Sequence, residues 1–161
     1  MPIKKLDKIF RPKRIALIGV SNDTNSVGGI TLRNLVGGGY NGVVYPVNPK
    51  REAVFGIPCY PDVKSLPKTP DLAVIMTAAK FVPQIIADCG ESGVNGIIIM
   101  SAGFKEVGPD GAKLEEQVKQ EVKKYPDMRV IGPNCLGILV PGSSMNVSFS
   151  GAMPKKGHVA F

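Results

Sequence analysis

Apolar residues fall along this chain in two recurring patterns: continuous runs of four or five, and longer stretches in which they return every three or four positions. Ile15-Ala16-Leu17-Ile18 is a continuous run, which fits a strand buried on both faces of a parallel sheet better than one that alternates between core and water. It closes at Gly19. The polar segment Ser21 to Ser26 follows, rich in side chains that bond nearby backbone and so favour turns and helix caps, with Ser26 the predicted N-cap. Beyond it Ile30, Leu32, Leu35 and Val36 recur at helical spacing until Gly37-Gly38-Gly39 ends the helix.

The alternation continues to the far end. Val43 to Lys50 is a second strand, and Pro46 and Pro49 mean that it ends early or lies near an edge. Asp71 to Thr77 is a third. Val82, Ile85, Ile86 and Cys89 share one helical face, with Pro83 tolerated in the first turn and Gly93 just past the end, so the Cys89 thiol is predicted in the core. Gly96 to Met100 is a fourth strand running into the small-residue turn Ser101 to Gly103. Leu114, Val118, Val122 and Tyr125 mark a further helix, with Glu115 and Lys119 spaced for a weak i, i+4 pair. Met128 to Ile131 is the fifth strand, ending in Gly132-Pro133-Asn134-Cys135. Between the second and third strands, Glu52 to Pro70 is proline-rich and irregular, with Val54 to Tyr60 a compact packed loop. Leu6 to Phe10 is a short helix, read as a lid over the sheet edge.

Strands alternating with helices predict an α/β fold: a Rossmann-like, doubly wound, mainly parallel sheet with helices on both faces and right-handed crossovers. Ligands of such sheets bind beyond the carboxyl ends of the strands. That rule gathers Ser21 to Gly29, Asn48 to Lys50, Thr77 to Ala79, Ser101 to Gly103 and Asn134-Cys135 onto one rim with a single cation, Lys50. Gly28 and Gly29 have no Cβ, so an anion can approach the unpaired N–H groups of the helix start. The turn equally reads as a close helix–strand contact, since the strict Gly-x-Gly-x-x-Gly spacing of dinucleotide sites is absent.

Composition narrows the ligand more than the fold. The 161 residues suit one domain, and the net charge of +7 favours an anionic partner. The basic residues are dispersed and no RNA-recognition signature is present, so a phosphorylated small molecule accounts for the excess and nucleic acid is not expected. No apolar run has the length of a membrane helix, and the amino-terminal residues lack the apolar segment of a signal peptide; the expectation is a cytoplasmic protein without a membrane partner. Cys59, Cys89 and Cys135 are odd in number and widely spaced, which argues for reduced thiols and against a disulfide framework or a zinc site.

Three segments in order, Tyr45-Pro46-Val47-Asn48-Pro49-Lys50, Ser101-Ala102-Gly103-Phe104-Lys105-Glu106 and Gly132-Pro133-Asn134-Cys135-Leu136-Gly137, carry a family resemblance. From Leu6 to Phe161 the chain resembles the CoA-binding domain of the NDP-forming acyl-CoA synthetases, such as ADP-forming acetyl-CoA synthetase, related to the succinyl-CoA synthetase alpha subunit. The resemblance implies coenzyme A as ligand. Its phosphates would be cradled by the loop that includes Ser21, Asn25, Ser26, Val27 and Gly28, and Lys50 would meet a phosphate at the nucleotide end. Thr77 and Ala78, with Met100, Ser101 and Ala102, would flank adenine and pantetheine, and Asn134 would organise the turn near the thiol end. Gly19 and Asn48 complete the implied set. Thr77-Ala78-Ala79 departs from the Val-Pro-Ala that these proteins often carry.

The implied function is that of an enzyme part: a synthetase interconverting acyl-CoA, ADP or GDP and phosphate with free acid, CoA and ATP or GTP, through a phosphohistidine outside this stretch. No catalytic residue and no metal ligand is assigned here. His158 lies in a strand entry without the phosphohistidine motif, and Cys135 has no base in sequence to lower its pKa. Residues 1 to 150 are read as the CoA-binding domain, and 151 to 161 as a linker with the first strand of a truncated succinyl-CoA-ligase-like domain. The remaining synthetase domains or subunit are the implied partners, with a homo-oligomer left open. Two alternatives stand beside this: a stand-alone Rossmann regulator sensing NAD or CoA, and the CoA-binding part of a fused protein acetyltransferase. An NAD site calls for an acid after the second strand, where Asn48-Pro49-Lys50 stands instead and Glu52 is the only acid nearby.

Overall fold

The computed structural model describes residues 5–158. In chain order its elements are α1 (Asp7–Phe10), β1 (Arg14–Ile18), α2 (Val27–Gly37), β2 (Val43–Val47), β3 (Ala53–Val54), β4 (Ile57–Pro58), β5 (Leu72–Ile75), α3 (Val82–Glu91), β6 (Gly96–Ile99), α4 (Pro109–Lys123), β7 (Arg129–Ile131), β8 (Gly137–Val140) and β9 (Met145–Ser148). The continuous apolar runs become strands covered on both faces: Ile15, Ala16 and Leu17 of β1, all four residues of β5, and Ile97, Ile98 and Ile99 of β6 are completely buried. Five strands pair in parallel in the order β2-β1-β5-β6-β7. Counted along the chain, that is 2-1-3-4-5, a doubly wound order in which the winding reverses between β1 and β5. β2, with its internal proline, is an edge strand, where a missing N–H is tolerated.

Alternate residues of each strand serve opposite layers. Ala16, Ile18, Ala73, Ile75, Ile97 and Ile99 pack with Val82, Ile86 and Cys89 of α3 and Val118 of α4. Ile15, Leu17, Leu72, Val74 and Ile98 pack with Ile9 of α1, Leu32 and Leu35 of α2, and Met145 and Val147 of β9. Each such large side chain contributes about 1.5–3 kcal/mol on burial. Cys89 is fully buried, as its helical register requires.

Three expectations change. α1 is not a lid on the sheet edge: it packs against β6, an interior strand, with Ile9 in the core and the Lys8 ammonium 2.7 Å from the Asp71 carboxylate just before β5. The packed loop from Val54 to Tyr60 contains an antiparallel hairpin, β3–β4, whose two-residue turn, Phe55-Gly56, has positive φ at both positions, 49° and 76°. Glu115 pairs with Lys119 at 3.0 Å as the spacing suggests, but its carboxylate is buried rather than solvated. An element outside the sequence reading, the antiparallel hairpin β8–β9, covers α2. Residues 151–158 contain no strand, and the strand expected from Gly157 to Phe161 falls largely on 159–161, outside the described residues.

Candidate functional site

β1 ends at Gly19, whose backbone has φ of 96° and runs so close to β5 that a Cβ there would lie 2.7 Å from the Met76 carbonyl. Only glycine fits. The two strand exits at the winding reversal therefore nearly touch, and the crevice opens on either side of them.

The loop from Ser21 to Ser26 is shaped by its own side chains. Ser26 Oγ donates to the Asp23 carbonyl at 2.7 Å and accepts the Gly29 N–H at 3.1 Å, which makes it the N-cap of α2. With its proton committed, Ser26 accepts from Ser21 Oγ at 3.1 Å, and Ser21 Oγ accepts the Asp23 N–H at 3.3 Å. Asp23 in turn accepts the Asn25 N–H at 2.9 Å. Gly29 bonds the cap and Ile30 bonds the Ser26 carbonyl, so among the described residues the N–H groups of Val27 and Gly28 have no protein acceptor. Those two groups begin an 11-residue helix without an acidic residue in its first turn, where the backbone dipole favours an anion. Gly28 is packed under the strand exit: a Cβ there would meet the Gly19 carbonyl at 2.7 Å.

Two cavities flank the reversal. The first, about 490 Å³, is lined by Ile18, Gly19, Asn48, Lys50, Thr77 and Ala78, and is closed by Phe81, Gln84, Ile85 and Asp88 of the α3 side and by Pro61, Asp62 and Val63. The second, about 390 Å³, is lined by Val27, Met76, Thr77, Met100, Ser101, Ala102, Asn134, Cys135, Leu136 and Phe149. Thr77 borders both.

The residues singled out from sequence divide accordingly. Gly19, Asn48, Lys50, Thr77 and Ala78 meet at the first cavity, and Val27, Met100, Ser101, Ala102 and Asn134 at the second. Ser21, Asn25, Ser26 and Gly28 line neither; they build the loop between. Asn48 is also a builder, since its Nδ2 donates to the Val20 carbonyl at 2.6 Å and its Oδ1 accepts the Lys50 N–H at 2.9 Å. Asn134 takes a left-handed φ of 53° and donates its N–H to the Ser101 carbonyl, tying the last loop to its neighbour.

Sequence reasoning missed the outer walls. Phe81 is 53 % exposed at the mouth of the first cavity, with Lys80 Nζ 5.1 Å from its ring centre. It lies two residues past the Thr77-Ala78-Ala79 turn, so a large apolar residue at that rim position was the available signal. The Asp62 and Asp88 carboxylates are already engaged: Asp62 accepts from Ser65, and Asp88 from Gln84 and the Lys64 ammonium at 2.9 Å. Cys135 is half-buried, its thiol donating to the Ile99 carbonyl at 3.3 Å, and burial pushes it above the ordinary thiol range, so it is not an activated nucleophile. Among the described residues no cluster of His, Cys, Asp and Glu could hold a metal ion.

The sequence profile described as "CoA binding domain" matches residues 13–141, which contain every loop of this rim. The chain belongs to the CoA-binding domain family. Within it, the chain is 42% identical to acetate–CoA ligase [ADP-forming] I of Archaeoglobus fulgidus over 97% of its own length and 22% of that protein. It is 44% identical to 4-hydroxybutyrate–CoA ligase [ADP-forming] of Nitrosopumilus maritimus, over 94% of this chain and 22% of that one. The solved structure of the dinucleotide forming acetyl-coenzyme A synthetase 1 of Ca. Korarchaeum cryptofilum superposes with a TM-score of 0.84 at 40% identity, over 89% of this chain and 30% of that one. This CoA-binding domain thus spans about a fifth of the length of those two curated relatives.

Proposed function

We propose that this chain is the CoA-binding part of an acyl-CoA ligase that converts acyl-CoA, ADP and phosphate into free acid, CoA and ATP through a phosphohistidine carried outside these residues. The observation that carries this reading is the pair of cavities meeting at Thr77, with Lys50 on the wall of one and Asn134 on the wall of the other. A long ligand with an anionic end and a neutral end fits that layout. CoA would lay its nucleotide and ribose phosphate toward Lys50 and Phe81. Its pyrophosphate would meet the Val27 and Gly28 N–H groups, each such helix-end contact contributing about 0.3–1 kcal/mol. The pantetheine arm would pass Met100, Ser101 and Ala102 to end near Asn134.

This chain's residues bind and orient the ligand; proton transfer and phosphoryl transfer fall to groups elsewhere in the ligase. Two relatives of nearly equal identity are named for acetate and for 4-hydroxybutyrate, which supports acyl selection by other parts of the protein. The remaining ligase domains or subunit are the partners. The three cysteines are free, in keeping with a reducing cytoplasm.

Titration calorimetry of the chain with CoA, 3′-dephospho-CoA and NAD tests the reading. CoA binds; loss of the 3′-phosphate or Lys50→Ala weakens it by about tenfold, as for one charge-assisted contact. Binding of NAD in preference to CoA overturns the assignment in favour of a Rossmann regulator.

A further inference from the structure

The loop from Ser21 to Ser26 is gripped from behind as well as shaped from within. The Phe55 N–H, at the tip of the β3–β4 hairpin, donates to Asn22 Oδ1 at 2.8 Å. Arg33, nearly two turns into α2, donates from Nη2 to the Thr24 carbonyl at 2.9 Å. These two bonds come from the β3–β4 hairpin and from α2 and hold the loop at Asn22 and Thr24.

Phe55 reaches Asn22 in an unfavourable backbone state. Its φ of 49° is left-handed, a conformation that a bulky aromatic residue rarely adopts and that the two-residue hairpin turn with Gly56 requires here. Packing adds little hold at the hairpin tip. Phe55 is 38 % exposed, and a cleft of about 320 Å³ lined by Leu32, Arg33, Val36, Phe55 and Ile57 separates the tip from α2. The hairpin is anchored just before its turn by the fully buried Val54, and its tip meets the loop through the hydrogen bond to Asn22.

We propose that Asn22 and Arg33 are positioning residues for CoA: they clamp the loop so that the Val27 and Gly28 N–H groups stay aimed at the rim. This rests on the assignment of CoA phosphates to that turn. Neither side chain lines either ligand cavity, so their effect passes through the Ser26 cap and the helix start.

The test separates the clamp from its consequence. Amide hydrogen exchange on the unliganded chain reads the clamp, because the Ser26 and Gly29 N–H groups are bonded only within the loop. Asn22→Ala lowers their protection by about tenfold or more, the scale of one lost hydrogen bond. Asn22→Asp, which keeps the acceptor for Phe55, retains wild-type protection. Calorimetry then reads the consequence: Asn22→Ala and Arg33→Met each weaken CoA by about five- to tenfold. Unchanged protection in Asn22→Ala overturns the clamp. Lost protection with unchanged CoA affinity overturns its role in binding, whereas failure of the wild-type chain to prefer CoA over NAD overturns the proposed function on which it rests.

Discussion

Gly28, in the first turn of α2, is fixed by the strand exit beneath it. Its missing Cβ lets the helix start sit 2.7 Å, in Cβ terms, from the Gly19 carbonyl and 2.9 Å from the Val20 Cα, both backbone atoms that cannot rotate away. Gly28→Ala therefore pushes the helix start off the strand exit. The expected outcome is a stability loss of about 1–3 kcal/mol in denaturant titration and a CoA affinity too weak to measure by calorimetry. A variant as stable and as tight as wild type would show that the helix start can shift without cost. Such residues were legible in the sequence only by type: two glycines after a serine-rich turn mark a close approach, but whether to an anion or to a strand depends on the fold. Here Gly28 faces the strand, which is the close-packing reading, while its own N–H is left without a protein acceptor among the described residues. Cys89 was legible outright, because i, i+3, i+4, i+7 spacing places it on the core face, where burial pushes its thiol up to about 12. Phe81 was not, since one exposed aromatic after a turn has no periodicity to report it.

At the scale of elements, the amino end of the sheet is held by charge. Asp71 accepts from Lys8 at 2.7 Å and from the Lys13 and Arg14 N–H groups at 2.9 and 3.1 Å, which ties α1 and the start of β1 to β5. Burial pushes this carboxyl up, but the Lys8 and backbone bonds outweigh it and hold the group below the usual carboxylate range. A carboxyl depressed in the folded state adds stability above its unfolded value of about 4 and loses it as pH falls through the folded value. Asp71→Asn is thus expected to cost about 1.5–3 kcal/mol at neutral pH, with the deficit shrinking on acidification below about pH 4. Urea titrations of both proteins at neutral and acid pH check it; a deficit independent of pH would mean that shape, not charge, matters there. The sequence pattern found all five strands of the parallel sheet because each carries a short apolar run between turn or helix signals. It passed over β8–β9 because Asn146 and Ser148 are buried polar residues, joined by a 2.6 Å bond from Ser148 Oγ to Asn146 Oδ1, and only the fold supplies α2, whose Asn34 bonds the Ser148 and Ser150 carbonyls. α1 was visible as a helix but its place was not, since four residues cannot say which end of a sheet they cover.

Across the whole molecule the two ends of the sheet are assigned different work: ion pairing at the amino ends, open rim at the carboxyl ends. The excess of seven positive charges is spread over the surface, so it acts on a polyanionic ligand at a distance rather than by contact. Raising ionic strength from about 0.01 M to about 1 M shortens the screening length from about 30 Å to about 3 Å, and CoA affinity is expected to fall several-fold while the thermal midpoint changes little. Affinity indifferent to salt would mean that contact at Lys50 and the helix start supplies the whole electrostatic term. The wall shared by the two cavities also has a practical use. Because Thr77 borders both, a single isotope-labelled methyl at that position is a spectroscopic beacon for the full length of the groove. Adenosine phosphates would shift it from one side and pantetheine from the other, and the whole cofactor would move it along both directions at once.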